Sequence, residues 1–108
     1  MITIEDFDKI DMRVGTIKEV SINKRARKPA YKVTIDLGPL GIKTSSAQIT
    51  DLYQPEDLVN HQVVVVTNFE PMRIGDVKSE VRVLGADTPK GVVLLNLSEH
   101  VSDGSTIF

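Results

Sequence analysis

The feature that most constrains the fold of this chain is a run of four consecutive valines, Val63–Val66, within the segment QVVVVTNF at Gln62–Phe69. An uninterrupted apolar run of this length is typical of a central strand that is buried on both faces. Valine and isoleucine number 24 of the 108 residues, whereas leucine, alanine and methionine together number 15. Because β-branched side chains pack well on a pleated surface, this excess predicts a mainly β protein.

Alternation of apolar and polar residues places further strands before the valine run. It predicts strands at Arg13–Ile22 and Tyr31–Leu37, each with one buried face. Gly15 is expected to bend the first of these strands, because glycine relaxes the backbone. The sequence GPLG at Gly38–Gly41 predicts a tight turn into a hairpin partner at Ile42–Ala47.

The second half of the chain adds a helix and two more strands. The sequence QPED from Gln54 is typical of a helix start, with proline at a first helical position and acids at the positive end of the helix. Strands are predicted at Val77–Gly85 and, after a turn at Thr88–Gly91, at Val92–Leu95. Five main strands with a helical connection between the third and fourth indicate one domain over residues 1–108, a Greek-key barrel of the OB-fold type.

Composition narrows the function classes. The chain has no cysteine, which excludes a disulfide scaffold, a thiolate zinc site and thiol catalysis. His61 and His100 are too far apart to suggest a metal site, Ser45-Ser46 has no nucleophile-elbow glycines, and no nucleotide motif is present. We therefore expect no enzyme activity, no metal and no cofactor. No apolar run approaches membrane-spanning length and the N-terminus is acidic, so we expect a cytoplasmic protein without membrane insertion.

The charge is unevenly distributed. The net charge is −2, yet residues 24–46 carry six basic residues and one acidic residue. Residues 47–108 carry four basic and nine acidic residues. The basic segment KRARK from Lys24 to Lys28, with Lys32 and Lys43 nearby, is able to steer an anionic partner. The alternative is a solvated loop whose charges only maintain solubility.

A binding signal follows the valine run. Phe69, Pro71 and Met72 stand beside Arg73, and rigid apolar groups next to a cation suit a peptide or the face of a base. The alternative is that Phe69 belongs to the core. Further along, Lys78, Glu80 and Arg82 are expected either to form cross-strand ion pairs or to line a groove.

Two long segments resemble a known family. FDKIDMRVG at Phe7–Gly15 and YQPEDLVNHQVVVVTNFEP at Tyr53–Pro71 resemble the tRNA-binding domain found at the C-terminus of some methionyl-tRNA synthetases, and the resemblance covers about residues 5–107. GIKTSSAQIT at Gly41–Thr50 and KSEVRVLG at Lys78–Gly85 resemble the CsaA-type secretion chaperones within that family. Both segments depart from the Ser-Gly and Ser-x-Gly-Met patterns usual in the tRNA-binding branch, which disfavours tRNA binding.

The resemblance implies a homodimeric, ATP-independent chaperone for unfolded or export-destined polypeptides, with a secretion translocation motor as a candidate partner. We expect the client to bind an apolar groove rimmed by cations, formed by Thr44, Ser46, Gln48, Asn68, Phe69, Pro71, Met72, Arg73, Lys78, Glu80 and Arg82. The dimer contacts implied by the family are Phe7, Ile10, Met12, Val92, Leu94, Ile107 and Phe108.

The sequence leaves two other functions open. A stand-alone tRNA-binding dimer would place phosphates on Lys9, Arg13, Lys24, Arg25, Arg27, Lys28, Lys32 and Lys43. Its affinity would fall steeply with salt, whereas apolar peptide binding would change little. The second is an assembly module that only dimerises or docks on a synthetase.

Overall fold

The structure is a computed structural model that describes residues 1–108. It contains two short helices, one 3₁₀ turn at Gly38–Leu40 and ten strands. In chain order the helices and strands are α1 (Ile4–Asp8), β1 (Met12–Ile22), β2 (Tyr31–Asp36), β3 (Ile42–Ala47), α2 (Pro55–Leu58), β4 (Gln62–Val66), β5 (Met72–Ile74), β6 (Val77–Ser79), β7 (Arg82–Val83), β8 (Gly85–Thr88), β9 (Gly91–Leu94) and β10 (Thr106–Ile107).

Strand β1 organises the main sheet. Its first half pairs with β4 and its second half with β2, both antiparallel. The pairing with β2 shifts between Ile17 and Glu19, so the irregularity lies beyond the bend predicted at Gly15. Gly15 instead serves close packing, because a Cβ there would lie 2.5 Å from Cγ2 of Ile35.

The main sheet has the strand order β3-β2-β1-β4-β7, with β10 added to β1. Strand β6 lies against the outer edge of β3, where the Glu80 N–H donates to the Thr44 carbonyl oxygen at 2.8 Å. The result is a nearly closed five-strand antiparallel barrel with a small helix, α2, between β3 and β4. This architecture is an OB-fold, and it confirms the predicted fold class.

The valine run is central, as predicted. Each of the four valines is at most 6% exposed, and β4 lies between β1 and β7. Leu58, at the end of α2, is 1% exposed and covers the same core. The predicted strand was too long, however, because β4 ends at Val66.

The prediction of one continuous strand over Val77–Gly85 is wrong. The chain forms β6, β7 and the start of β8 over this range. The break has a topological cause, since β6 lies beside β3 whereas β7 pairs with β4. The polypeptide must therefore cross from one edge of the sheet to the other, and this crossing closes the barrel.

Each end of the chain adds one short element to the fold. The N–H of Thr3 and the Asp6 carboxylate form one half of a capping box that starts α1, a helix that the sequence did not predict. Near the other end, β10 pairs with the first residues of β1. The turn expected at Thr88–Gly91 joins β8 to β9. None of the helices has the length and apolar character needed to cross a membrane.

Candidate binding surface

Three of the predicted peptide contacts lie in the seam between β3 and β6. The Glu80 carboxylate accepts a hydrogen bond from the Thr44 N–H at 3.1 Å. The Thr44 hydroxyl donates to the Lys78 carbonyl oxygen at 2.6 Å, and the Ser46 N–H donates to the Ser79 hydroxyl at 3.0 Å. These groups are already partnered within the chain, so Thr44, Ser46 and Glu80 close the barrel.

Asn68 and Arg13 also act within the fold. The Asn68 side chain accepts from the Asp11 N–H at 3.0 Å and donates to the Lys9 carbonyl oxygen at 2.6 Å. Arg13 donates to the Asp11 carboxylate at 2.9 Å and to the Gly104 carbonyl oxygen at 3.0 Å. Both residues therefore tie chain ends to the barrel.

Asp11 is the centre of this network. A hydrogen bond from the Thr67 hydroxyl lowers the pKa of Asp11 below its ordinary value. Partial burial opposes this shift, and the Arg13 guanidinium adds to it. A carboxylate that accepts hydrogen bonds from a hydroxyl and a cation favours its ionised form.

The apolar residues after β4 are exposed. Phe69 is 58% exposed and Met72 is 64% exposed, and Pro71 is exposed as well. The alternative that Phe69 belongs to the core is therefore wrong, because the chain leaves the barrel after Val66. We call Phe69–Met72 the apolar segment. It also contains one exposed carboxylate, Glu70.

A cleft of about 460 Å³ opens between the β1–β2 loop and the β5–β6 hairpin. Its lining includes four cations, Arg25, Arg27, Lys28 and Arg73, and no acidic residue. Arg25 lies 3.5 Å from a carboxylate oxygen of Asp76, and the other three cations form no ion pair. We call this site the cationic cleft. Its lining combines residues from two predictions: Arg25, Arg27 and Lys28 were predicted for RNA binding, and Gln48 and Arg73 for peptide binding.

A buried asparagine that the sequence analysis missed holds the cleft together. Asn23 is 4% exposed. Its side chain donates to the Ile74 carbonyl oxygen at 2.7 Å and to the Ser46 hydroxyl at 3.0 Å, and it accepts from the Asp76 N–H at 3.2 Å. A lone asparagine before a basic loop carries no distinctive pattern, so only the fold reveals this role.

The remaining predicted cations are dispersed. Lys9 lies 3.6 Å from Asp6, and Lys43 lies 3.9 Å from Glu80. The other cations are exposed and form no ion pair, and they lie outside the lining of the cleft: Lys24, Lys32, Lys78 and Arg82.

The residues expected at a dimer contact lie in two places, the chain ends and β9. Met12 pairs with Ile107 across β1 and β10, and Ile10 and Phe108 are 43% and 100% exposed. Phe7 is half-buried. These residues lie at the joined chain ends.

On β9 the outward face differs from the expectation. Leu94 is a core residue, 7% exposed, and Val92 packs against the same core. Val93 and Leu95 are 41% and 42% exposed instead. A shift of one residue exchanges the two faces of a strand, so Val93 and Leu95 are the residues that β9 and its end present outward.

A second cleft of about 580 Å³ lies between α2 and β9. Glu56, Asp57 and His61 line it, and Leu94 is the one predicted site residue there. No group of three or more histidine or acidic side chains in the molecule is placed to hold a metal ion.

Curated relatives match this chain over nearly its whole length. The methionine–tRNA ligase of Pyrococcus furiosus is 39% identical over 106 residues, which are 98% of this chain and 14% of that enzyme. The methionine–tRNA ligase of Listeria monocytogenes is 33% identical over 98% of this chain and 16% of its own length. The chain thus spans about one seventh of the length of these enzymes.

Solved structures match over their full length. A structure described as the chaperone CsaA from Bacillus anthracis shares 46% identity and a TM-score of 0.93, over 100% of this chain and 99% of that chain. The CsaA chaperone protein from Picrophilus torridus shares 50% identity and a TM-score of 0.95, over 100% of both chains. A family model described as "Putative tRNA binding domain" matches residues 12–106. Structures described as CsaA chaperones are among the structural neighbours of this chain, and the chain belongs to this family of tRNA-binding domains.

Proposed function

We propose that this chain is a non-catalytic, ATP-independent chaperone of the cytoplasm that binds unfolded or export-destined polypeptides as a homodimer. The observation that carries the proposal is the match of the whole chain to two structures described as CsaA chaperones, at 46% and 50% identity. In contrast, the chain matches only the small part of each methionine–tRNA ligase named above. A secretion translocation motor is a proposed partner for client transfer.

The apolar segment is the proposed client contact. Phe69, Pro71 and Met72 give non-directional contact that tolerates many client sequences, and methionine adapts its shape. Lys78, Arg82 and Gln48 are exposed and free to bind polar groups of the client. Thr44, Ser46, Asn68 and Glu80 support this surface by fixing the neighbouring backbone.

The proposed dimer uses apolar groups at the chain ends and on β9. Ile10, Phe108, Val93 and Leu95 are exposed, and large exposed apolar groups favour a protein contact. A two-fold dimer carries two copies of the client surface, so weak binding at each copy gains from bivalent capture of one chain.

The second candidate function is tRNA binding, which the family model and the cationic cleft favour. The two functions differ in their dependence on salt. Each neutralised phosphate contributes a slope of about −0.7 to −0.9 in the logarithm of affinity against the logarithm of salt, whereas burial of apolar surface is far less sensitive.

Fluorescence anisotropy over a salt series tests the proposal, with a labelled unfolded export-type peptide and labelled tRNA in parallel. We expect peptide binding in the micromolar range that changes little with salt, and weak tRNA binding. The double variant Phe69→Ala/Met72→Ala should weaken peptide binding at least tenfold.

The matched control is Ile22→Ala/Ile42→Ala, which removes apolar groups of similar exposure, 66% and 62%, elsewhere on the barrel. Equal loss of binding in both double variants would contradict the proposed site. Tight, salt-sensitive tRNA binding with no peptide binding would replace the chaperone function by the second candidate.

A further inference from the structure

The charged residues that line the cationic cleft favour the binding of an anion. Four cations line it, three of them form no ion pair, and no carboxylate lies among the lining residues. Three unpaired cations around one cleft repel each other. An anion bound between them relieves that repulsion, so the site is electrostatically complementary to a cluster of negative charges.

Asn23 and Gly75 fix the backbone on both sides of the cleft. The side chain of Asn23 bonds to both strand β3 and the β5–β6 hairpin, and the Asn23 N–H donates to the Ala30 carbonyl oxygen at 3.0 Å across the basic loop. Gly75 lies at the tip of the hairpin with φ of +59°. A Cβ there would lie 2.5 Å from Asn23 Oδ1 and 2.6 Å from the Ala26 N atom. The loop and the hairpin are thus in direct contact, which fixes the backbone that carries the four cations before a ligand binds.

The cleft and the apolar segment are neighbours along the chain. Arg73 lines the cleft, and Met72, the last residue of the apolar segment, is its neighbour in β5. Adjacent Cα atoms are about 3.8 Å apart. Successive side chains of a strand point to opposite faces, so Met72 and Arg73 extend to the two faces of the β5–β6 hairpin. One extended polypeptide reaches both by passing the edge of the hairpin, with its carboxylate and its apolar side chain several residues apart.

The surroundings favour a polypeptide over a nucleic acid in this cleft. Residues 47–108 carry nine acidic and four basic residues, and Glu70 is exposed in the middle of the apolar segment. A phosphate backbone that continues from the cleft onto the segment meets that carboxylate, whereas a polypeptide presents neutral residues there. The segment also has one aromatic ring, and single-stranded nucleic acids use several for stacking.

We propose that the cationic cleft is a selectivity site for clients in which acidic residues adjoin a hydrophobic stretch, with Asn23 and Gly75 as its positioning residues. This inference rests on the polypeptide-binding function proposed above. The client's carboxylates bind among Arg27, Lys28 and Arg73, and its hydrophobic residues bind the apolar segment.

Anisotropy with three labelled peptides tests the inference. They share one hydrophobic core sequence and carry flanks of Asp and Glu, of the neutral isosteres Asn and Gln, or of Lys. We expect the acidic peptide to bind at least tenfold more tightly than the neutral peptide at low salt. This advantage should shrink as ionic strength rises, since the Debye length falls to about 10 Å at 0.1 M.

Two variants test the assignment to the cleft. Arg27→Gln/Lys28→Gln/Arg73→Gln should abolish the acidic preference while the neutral peptide still binds. The control Lys18→Gln/Lys32→Gln/Lys90→Gln removes equal charge outside the cleft and should keep most of the preference. Gly75→Ala retains every charge and should reduce the ratio of acidic to neutral affinity, with circular dichroism to show that the barrel is folded.

The outcomes separate the two proposals. If the neutral peptide binds and the acidic peptide binds no better, the selectivity site is wrong and the chaperone function stands. If no peptide binds, the chaperone function fails. If the cleft variant loses tRNA binding while its peptide ratios stay unchanged, the cleft is a nucleic-acid site and the inference is overturned.

Discussion

The backbone N–H groups of Thr44 and Glu80 each donate a hydrogen bond to the other residue across the seam of the barrel. The Glu80 N–H donates to the Thr44 carbonyl oxygen at 2.8 Å, and the Glu80 carboxylate accepts from the Thr44 N–H at 3.1 Å. The side chain here replaces the carbonyl that a regular partner strand would offer. A carboxylate thus completes a ladder at the place where the polypeptide crosses between β6 and β7.

Replacement of Glu80 by alanine should therefore destabilise the fold. The Thr44 N–H loses its acceptor, and a partly buried donor without a partner costs roughly 1.5–3 kcal/mol when the lost acceptor is charged. The measurement is the free energy of unfolding from denaturant titration. Glu99→Ala is the control, because Glu99 is exposed and forms no ion pair. Equal stability of both variants would show that Glu80 does not hold the seam.

The apolar segment should contribute little to stability. Phe69→Ala/Met72→Ala should change the free energy of unfolding by less than about 1 kcal/mol, because both side chains already lie mostly in water. Leu58→Ala should cost about 2–5 kcal/mol, since Leu58 is 1% exposed in the core. A strongly destabilised double variant would mean that these residues serve packing, and the loss of client binding would then have a trivial cause.

Asp11 gives the fold a specific acid sensitivity. Its pKa in the folded chain lies below the ordinary value of 3.8, so its ionised form stabilises the folded state. That stabilisation is complete above the unfolded pKa and is lost as the pH falls through the folded pKa. At neutral pH, Asp11→Asn should lower the free energy of unfolding by about 1 kcal/mol. The loss is no larger because part of the Asp11 side chain is exposed to solvent, which weakens its interaction with Arg13.

Denaturant titrations from neutral to acidic pH check this linkage. The difference in unfolding free energy between the wild-type chain and Asp11→Asn should narrow below roughly pH 4. Asp87→Asn is the matched control, because Asp87 is exposed and forms no ion pair. A difference in unfolding free energy that stays constant down to strongly acidic pH would contradict the role given to Asp11.

The fold was more predictable from sequence than the binding surface. The run Val63–Val66 indicated a central strand because four consecutive β-branched residues favour an extended backbone that is buried on both faces. The hairpin at Gly38–Gly41 followed equally from turn chemistry. The break within Val77–Gly85 could not be predicted, because barrel closure forces it and the alternation of side chains continues through the break.

The binding surface depends on contacts between distant parts of the chain. Nothing local marks Glu80 as the partner of Thr44, and the sequence therefore placed both in a groove for peptides. Asn23 bonds to residues from two distant strands, and its role emerges only when those strands are brought together. On β9 the four consecutive apolar residues Val92–Leu95 do not indicate which alternate pair faces the core, so the inward and outward pairs were exchanged.

The two residues that β9 and its end expose, Val93 and Leu95, provide a test of the proposed dimer. If the homodimer contact includes the outward face of this region, a charge at Val93 or Leu95 should weaken association, because a carboxylate without a partner is costly to bury in an apolar interface. Val93→Asp and Leu95→Asp should each raise the dimer dissociation constant at least tenfold in sedimentation equilibrium. Neither should unfold the chain, since both side chains are about two-fifths exposed.

Ile22→Asp is the control, because Ile22 is exposed at 66% on the far end of β1 from the joined chain ends. It should leave association unchanged. Phe108→Asp tests the chain end in the same way, and its effect should add to that of Leu95→Asp if the two residues bind the partner independently. A wild-type chain that sediments as a monomer at all concentrations would remove the dimer, and the chaperone would then act through a single client surface.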